Sequence, residues 1–330
     1  MRYFIFFFLF LISCSNKDKS ILITNSDHAQ GTYYHIKYLS PNAIDYKSDI
    51  DSIIAEIDSS LSTYYKESLI SKINNQDTYK TDYLFNEVYF NAKKVYEESN
   101  GYFDCSIYPI VSLLGFYEKD FNPSEIDSQK VNNILKNVGF QKIELVKDSI
   151  HLPKNMYLDF NSIAQGYTVD LIAQFLNKKN IDNYLIELGG EISASGRNAD
   201  EDIWKIGVDK PTEKIDTKDR FSFILELENT SLATSGNYRN FYKYNGVKYS
   251  HTINPFSGFP VNNRLLSVTV THDKCSLADA YATAFMAMGV KKTIKFIQSR
   301  DDIGVYLIYT NKEGDWQTYF NQNMSSRIIN

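Results

Sequence analysis

The sequence predicts an α+β fold, and three observations carry that prediction. Apolar residues recur at helical spacing through much of the first half of the chain. After Tyr184 the chain turns to short runs of β-branched and aromatic residues. Helices and strands do not alternate strictly, so an α+β architecture is expected, with a mixed sheet and packed helices.

Taken in order, Gly31 to Leu39 alternates and reads as a strand. Ile44, Ile50, Ile53, Ile54, Ile57 and Leu61 follow helical spacing. A second helix runs from Tyr83 to Ser99 and is stopped by Asn100-Gly101. A third runs from Ser124 to Val138, with Ser124 as N-cap and Gly139 as its stop. A fourth covers Ser162 to Lys178, amphipathic through Ile163, Val169, Ile172, Ala173 and Leu176. Strands follow at Tyr184–Leu188, Trp204–Val208, Phe221–Leu227 and Leu265–Thr271, with Asp209–Arg220 as a surface loop. Asn245-Gly246 sits between Phe241–Tyr244 and Val247–Ser250, a two-residue hairpin signal. Helices at Ser276–Met288 and Lys291–Ser299 lead to a last hairpin, Gly304–Thr310 with Trp316–Tyr319. No repeat, low-complexity stretch or convincing linker divides the chain.

The 330 residues carry an ordinary apolar fraction of 43%, with 25 tyrosines and 21 phenylalanines, so much of the packing is aromatic. Net charge is −5 with no basic stripe, which argues against nucleic acid as a partner. Arg2 precedes an apolar run from Tyr3 to Ile12, the length of a signal-peptide core and too short to span a bilayer. Leu11-Ile12-Ser13-Cys14 then resembles the lipobox of bacterial lipoproteins. The expectation is a signal peptide over residues 1–13, a lipidated tether over 14–29 beginning at Cys14, and one domain over 30–330. A plain secretory signal with a chance cysteine is the alternative. Export would permit a disulfide between Cys105 and Cys275; two buried free thiols are the blander reading.

Five blocks carry residues that structure alone does not require. Gly101-Tyr-Phe-Asp-Cys-Ser-Ile-Tyr-Pro-Ile110 sets the acid Asp104 among aromatics, although Asp104 could cap the following helix. Tyr157-Leu-Asp-Phe-Asn-Ser-Ile-Ala-Gln-Gly166 runs from an apolar strand through a polar turn into a helix. Leu188-Gly-Gly-Glu191 has two glycines that permit close backbone approach to a ligand, or simply make a tight turn. Tyr249-Ser-His-Thr-Ile-Asn-Pro-Phe-Ser-Gly258 holds His251, which alone could be an ordinary hydrogen-bonded histidine. Ser276-Leu-Ala-Asp-Ala-Tyr-Ala-Thr283 opens a helix on which Asp279 and Thr283 stand four apart, on one face. Asp279 could instead be an early-turn acid favoured by the helix dipole. A hard-oxygen pair of this kind suits Mg²⁺ together with a phosphorylated ligand.

In this order the blocks resemble the ApbE-type flavin transferase family, the FAD:protein FMN transferases. That family shows Met-Gly-Thr, Gly-x-Phe-Asp, Asp-Leu-Gly-Gly-Ile-Ala-Lys-Gly-Tyr-x-x-Asp, Leu-Gly-Gly-Asp, Ser-Gly-x-Tyr followed by Ser-His-x-Ile-Asp-Pro-x-Thr-Gly, and Ala-Asp-Ala-x-Ala-Thr. The counterparts here are Gln30-Gly31-Thr32, Gly101-Tyr-Phe-Asp104, Asp159 to Asp170, Leu188-Gly-Gly-Glu191, Ser235-Gly-Asn-Tyr238, Ser250 to Gly258 and Ala278-Asp-Ala-Tyr-Ala-Thr283. The resemblance spans roughly residues 30 to 310. Departures are Gln30 for methionine, Asn161-Ser162 for Gly-Gly, Gln165 for lysine or an acid, and Asn254 for aspartate.

The resemblance implies a T-fold-related architecture and a reaction in which the FAD pyrophosphate is cut, FMN moves to a threonine or serine hydroxyl of a target protein, and AMP leaves. It implies Mg²⁺ held by Asp279, Thr283, the Ala282 carbonyl and an oxygen of Ser162. FAD would lie against Gln30, Tyr64, Tyr102, Phe103, Asp104, Asp159, Gln165 and Ile253. His251 is the candidate to take the proton of the acceptor hydroxyl, or else orients a phosphate. The implied partner is a membrane-associated flavoprotein of electron-transfer machinery, and the implied location is the cell-envelope side of a bacterial membrane, reached by the lipid anchor. Hydrolysis of FAD to FMN and AMP by the same metal site is the enzymatic alternative. A lipoprotein that only binds flavin, a solute-binding lipoprotein, and a structural or adhesive surface protein are the alternatives of another class.

Overall fold

The computed structural model describes residues 20–115, 127–212, 220–237, 241–244, 247–250 and 252–329. Cys14, Ser124 and His251 lie outside them. The chain opens with a hairpin, β1 (Ile21–Ala29) and β2 (Thr32–Ser40), joined by Gln30 and Gly31 at φ of 50° and 75°. Two residues at positive φ twist with the strands, the turn geometry that two-residue hairpins favour. Residues 21–29, expected as tether, are therefore the edge strand of the main sheet.

Helices α1 (Lys47–Leu61), α2 (Leu69–Asn74), α3 (Tyr83–Glu98), α4 (Tyr108–Leu113) and α5 (Ser128–Leu135) follow. Asp82 caps α3 by accepting from the Phe85 N–H. Asp127 caps α5 through the Gln129 and Lys130 N–H groups, so that helix starts later than its apolar spacing suggested. A small ribbon, β3 (Glu144–Val146) with β4 (Ser149–His151), leads to α6 (Ala164–Lys178). Ser162 belongs to the turn before α6, not to the helix.

The second half supplies β5 (Tyr184–Leu188), β6 (Glu191–Ser195), β7 (Trp204–Asp209), β8 (Phe221–Leu227), β9 (Thr230–Gly236), β10 (Phe241–Tyr244), β11 (Val247–Ser250) and β12 (Leu265–His272). Next come α7 (Cys275–Met288), α8 (Val290–Ile297), β13 (Gly304–Thr310), β14 (Trp316–Phe320), α9 (Gln322–Ser325) and β15 (Ile328–Ile329). Eight strands form one sheet in the order β1-β2-β5-β6-β9-β12-β13-β14. Every pairing in it is antiparallel, where a mixed sheet was expected. The α+β class holds. The expected strands β10 and β11 also pair, Tyr244 with Val247; Asn245 and Gly246 between them lie outside the described residues.

Helix α7 packs against β9 and β12 on one side and against α3 and α6 on others. It is buried on nearly all faces, as an apolar helix at the centre of a domain must be. Its many alanines let neighbours come close. Fully buried Phe85, Phe103, Phe160 and Phe285 fill the surrounding core, each worth roughly 2–3 kcal/mol of burial. Cys105 and Cys275 are both buried and free, which settles their pairing against a disulfide. Among the described residues no helix is long and apolar enough to cross a membrane.

Candidate active site

The turn ahead of α6 is built by local hydrogen bonds. The Asp159 carboxylate accepts from the Asn161 N–H at 2.8 Å, an Asx turn, and the Ala164 N–H reaches the Phe160 carbonyl at 2.8 Å to start the helix. Asn74 fixes the approach to this turn: its amide donates to the Leu158 carbonyl and its oxygen accepts from the Leu158 N–H, both at 2.8 Å. The Asp159 N–H donates to the Cys105 carbonyl at 2.8 Å, tying this segment to the one that carries Asp104. Phe160 anchors the turn edge-on against Phe85, with ring centroids 5.3 Å apart.

Helices α6 and α7 cross at Gly166. A Cβ there would lie 2.6 Å from the Cys275 carbonyl oxygen, so only glycine allows this approach. At the crossing the Asp279 carboxylate accepts from the Gly166 N–H at 3.3 Å. Asp279 thus satisfies a first-turn amide of α6 rather than serving as an early-turn acid of its own helix. Asp279, Thr283 and Ala287 form one face of α7 and line a cavity of about 450 Å³. Ala282, between them, is fully buried.

That cavity also meets Ser162, Tyr102, Phe103, Asp104, Asp159 and Ile253. It adjoins a second cavity of about 630 Å³ lined by Gln30, Gly31, Asp58 and Tyr64; Asn161 and Gln165 face both. The two chambers fall in the size range of small-molecule sites. Every catalytic, flavin or metal residue expected from the sequence lines one of the two chambers, except the buried Ala282 and except His251, which, like Cys14, lies outside the described residues. Thr252, next to His251, lines the smaller chamber.

Hydrogen bonds within the chain fix two of these side chains. Asp104 does not cap the helix that follows it; its carboxylate accepts from the Ser106 N–H and hydroxyl at 2.8 and 2.6 Å and from the Phe140 N–H at 3.3 Å. Gln30 turns its amide to Asp58 and Thr168, at 3.1 and 3.0 Å, while the Gln165 amide donates to the Gln30 carbonyl at 3.3 Å. Asp58 is not legible in the sequence because a lone acid beside Ile57 and Leu61 has no pattern to mark it. Leu188-Gly-Gly-Glu191 is a tight hairpin turn, with Gly189 and Gly190 at φ of 64° and 108°.

Four acids, Asp104, Asp159, Glu191 and Asp279, face the smaller chamber, and none of its described lining residues is lysine or arginine. Burial pushes the Asp279 carboxyl up to about 7. Burial, with Asp279 nearby, pushes Glu191 well above the usual carboxylate range. Burial also raises Asp104, against the pull of its hydrogen bonds. Buried carboxylates without a cation resist ionising. A phosphate would be repelled from such a chamber unless a cation came with it. The oxygen donors of Asp279, Thr283 and Ser162 are the hard ligands Mg²⁺ takes. No group of three or more His, Cys, Asp or Glu side chains arranged to hold a metal occurs among the described residues, so an ion here would draw on hydroxyls, carbonyls, water and the ligand's own oxygens.

An antiparallel sheet on a buried central helix, with two adjoining chambers at the helix crossing, one of them lined by four acids, defines an α+β protein with a site of small-molecule size. The model of the ApbE family matches residues 30–307. The chain is 32% identical over 318 residues to the FAD:protein FMN transferase of Vibrio cholerae, covering 93% of this chain and 92% of that one. It is 31% identical over 326 residues to that of Haemophilus influenzae, covering 93% and 91%. Among solved structures, flavin transferase ApbE from Vibrio cholerae superposes with a TM-score of 0.82 at 28% identity, covering 93% of this chain and 99% of that one. The apo flavinyl transferase ApbE of Pseudomonas stutzeri gives 0.83 at 26% identity, covering 93% and 96%. The chain belongs to the ApbE family.

Proposed function

We propose that this protein moves FMN from FAD to a threonine or serine hydroxyl of a target flavoprotein, with Mg²⁺, and releases AMP. As a member of this family it is a flavin transferase with FAD as substrate. The observation that carries the finer reading is the meeting of Asp279, Thr283 and Ser162 in a chamber that continues past Gln165 to Gln30 and Tyr64. The first three, with the Ala282 carbonyl, would hold the ion. An ion held by these residues would supply polarisation of the pyrophosphate and would offset charge on the departing AMP.

The remaining work falls to the chain itself. Phosphoryl transfer asks mainly for in-line positioning and charge neutralisation. The acceptor oxygen bonds to the FMN phosphorus as the bond to the AMP oxygen breaks. The hydroxyl proton passes to His251, whose class of side chain titrates near working pH. Tyr102 and Tyr64 offer π-faces for flat rings. Asp104 and Asp159 would repel phosphate, so they suit the N–H and O–H groups of rings or ribose.

The apolar run Tyr3–Ile12 and Cys14 support export and lipid anchoring to the cell-envelope side of a bacterial membrane, where an electron-transfer flavoprotein is the acceptor class. Cys14→Ser would then release the protein from the membrane fraction. Unchanged membrane association would refute the anchor.

Intact mass of an acceptor flavoprotein, after incubation with this protein, FAD and Mg²⁺, tests the reaction. A gain of one FMN, lost with chelator and with Asp279→Ala, is expected. Free FMN without an adduct would give the hydrolase reading instead, and turnover that survives Asp279→Ala would overturn the metal mechanism.

A further inference from the structure

We propose that Glu191 belongs to the cation site and supplies its second negative charge. This rests on the reading above that Asp279, Thr283 and Ser162 hold a divalent cation. Glu191 is the first residue of β6, directly after the Gly189-Gly190 turn. Its side chain faces the chamber that Asp279, Thr283 and Ser162 line. The residue is only 8% exposed, and its Oε2 is buried with no hydrogen-bond partner.

A buried carboxylate oxygen without a partner costs free energy that an apolar side chain of similar size would avoid. No described lysine or arginine lines the chamber to offset it. Nor does Glu191 serve the turn it follows, which the two glycines make by themselves. What remains is a ligand that enters the chamber, and an acceptor-only oxygen beside another acid selects a cation or its coordinated water. With Asp279, Glu191 would give the cation site itself two carboxylates against the two positive charges of the ion. Mg²⁺ keeps several waters when bound by proteins, so Glu191 can act on the ion or on its hydration shell.

The test is calorimetric titration of Mg²⁺ alone into the whole chain, with thermal melting in chelator, for the wild type, Glu191→Gln and Asp279→Asn. Glu191→Gln is expected to weaken Mg²⁺ binding about 10- to 100-fold. It is also expected to raise the melting temperature of the metal-free protein, because a repulsive buried acid is gone. A merely structural Glu191 would lower that temperature instead. Glu191→Gln that binds Mg²⁺ within twofold of wild type, while Asp279→Asn loses it, overturns this inference and leaves the cation site standing. A wild type that binds no Mg²⁺ overturns both. Glu191→Ala is read by the same criteria and replaces the glutamine variant should that one fail to fold.

Discussion

Asp170 and Asp279 each cap the helix that carries the other. Asp170, on α6, accepts from the Cys275 and Ser276 N–H groups at the start of α7, at 2.7 and 3.0 Å. Asp279, on α7, accepts from the Gly166 N–H in the first turn of α6. Each acid sits at a helix N-terminus, where the dipole and the unpaired amides favour a negative charge. The exchange locks the two helices at their crossing and thereby sets where Asp279 stands in the chamber.

Asp170→Asn keeps the shape but loses two charge-assisted bonds to buried amides. Burial holds the Asp170 carboxyl above its ordinary value even with those bonds, so the loss is partly offset by relieved desolvation. A net cost of about 2 kcal/mol is expected. Denaturant unfolding checks it, with the midpoint lowered and the slope unchanged. Flavin transfer should fall too, because the start of α7 is no longer held.

Gly166→Ala puts a methyl group where the Cys275 carbonyl oxygen and the Ser276 Cα already stand, 2.6 and 2.8 Å away. Neither is the end of a flexible side chain. The helices must part, at an expected cost of about 1–3 kcal/mol. A melting curve reads the stability, and reduced FAD turnover reads the displaced Asp279.

In chelator, stability should fall as pH rises from 4 toward 8. The folded-state pKa of Asp279 is raised by burial to about 7, so over that span the folded protein keeps a proton that the unfolded chain has lost. By linkage this lowers stability with rising pH. Asp279→Asn should therefore melt higher than wild type at pH 8 without metal, and like it at pH 4. A difference between the two proteins that does not grow from pH 4 to pH 8 would count against the buried-acid account.

Thr283→Val removes the hydroxyl at nearly constant volume. The rate of FMN adduct formation should drop by about 10- to 100-fold, with melting in chelator nearly unchanged. Thr283→Ser keeps the oxygen and should retain most of the activity. Adduct mass over time distinguishes the two variants.

Arg300 joins Glu98 at 2.5 Å and Asp302 at 2.7 Å, and Tyr281 donates to the same Glu98 oxygen. The Arg300 bonds hold Asp302 down at about 2. A carboxylate with a lowered folded pKa stabilises above its unfolded value near 4, and that contribution disappears as pH falls through about 2. Asp302 is half exposed, so its share is small. Arg300→Met should cost about 1–2 kcal/mol at pH 7, mostly through the less exposed Glu98, and the gap to wild type should narrow below about pH 4 and close as pH falls through about 2. Thermal melts at pH 7 and pH 2 give the comparison.

Much of this molecule is legible in its local chemistry. Helix α3 shows its stop in Asn100-Gly101, and β5, β12 and β13 carry the β-branched and aromatic residues that mark strands. The Asp279 and Thr283 pair can be placed on one face because helical period is a local property. The edge strand β1 is hidden because it is mostly exposed and buries only Asn25, so no apolar alternation marks it. Strand β9, Thr230-Ser-Leu-Ala-Thr-Ser-Gly236, is hidden because small polar residues disguise its buried position under α7.

What the tertiary structure alone decided is which distant groups meet. The sequence determined the α+β class, the aromatic core and the ordered blocks that mark the family, since each rests on residues near one another in the chain. It did not determine that every pairing in the main sheet is antiparallel, that Asp170 and Asp279 trade caps, or that Glu191 keeps an unpartnered oxygen beside the chamber of Asp279. Those depend on register and on how closely helices approach. Such contacts lie far apart along the chain, and they form only when the whole core packs at once.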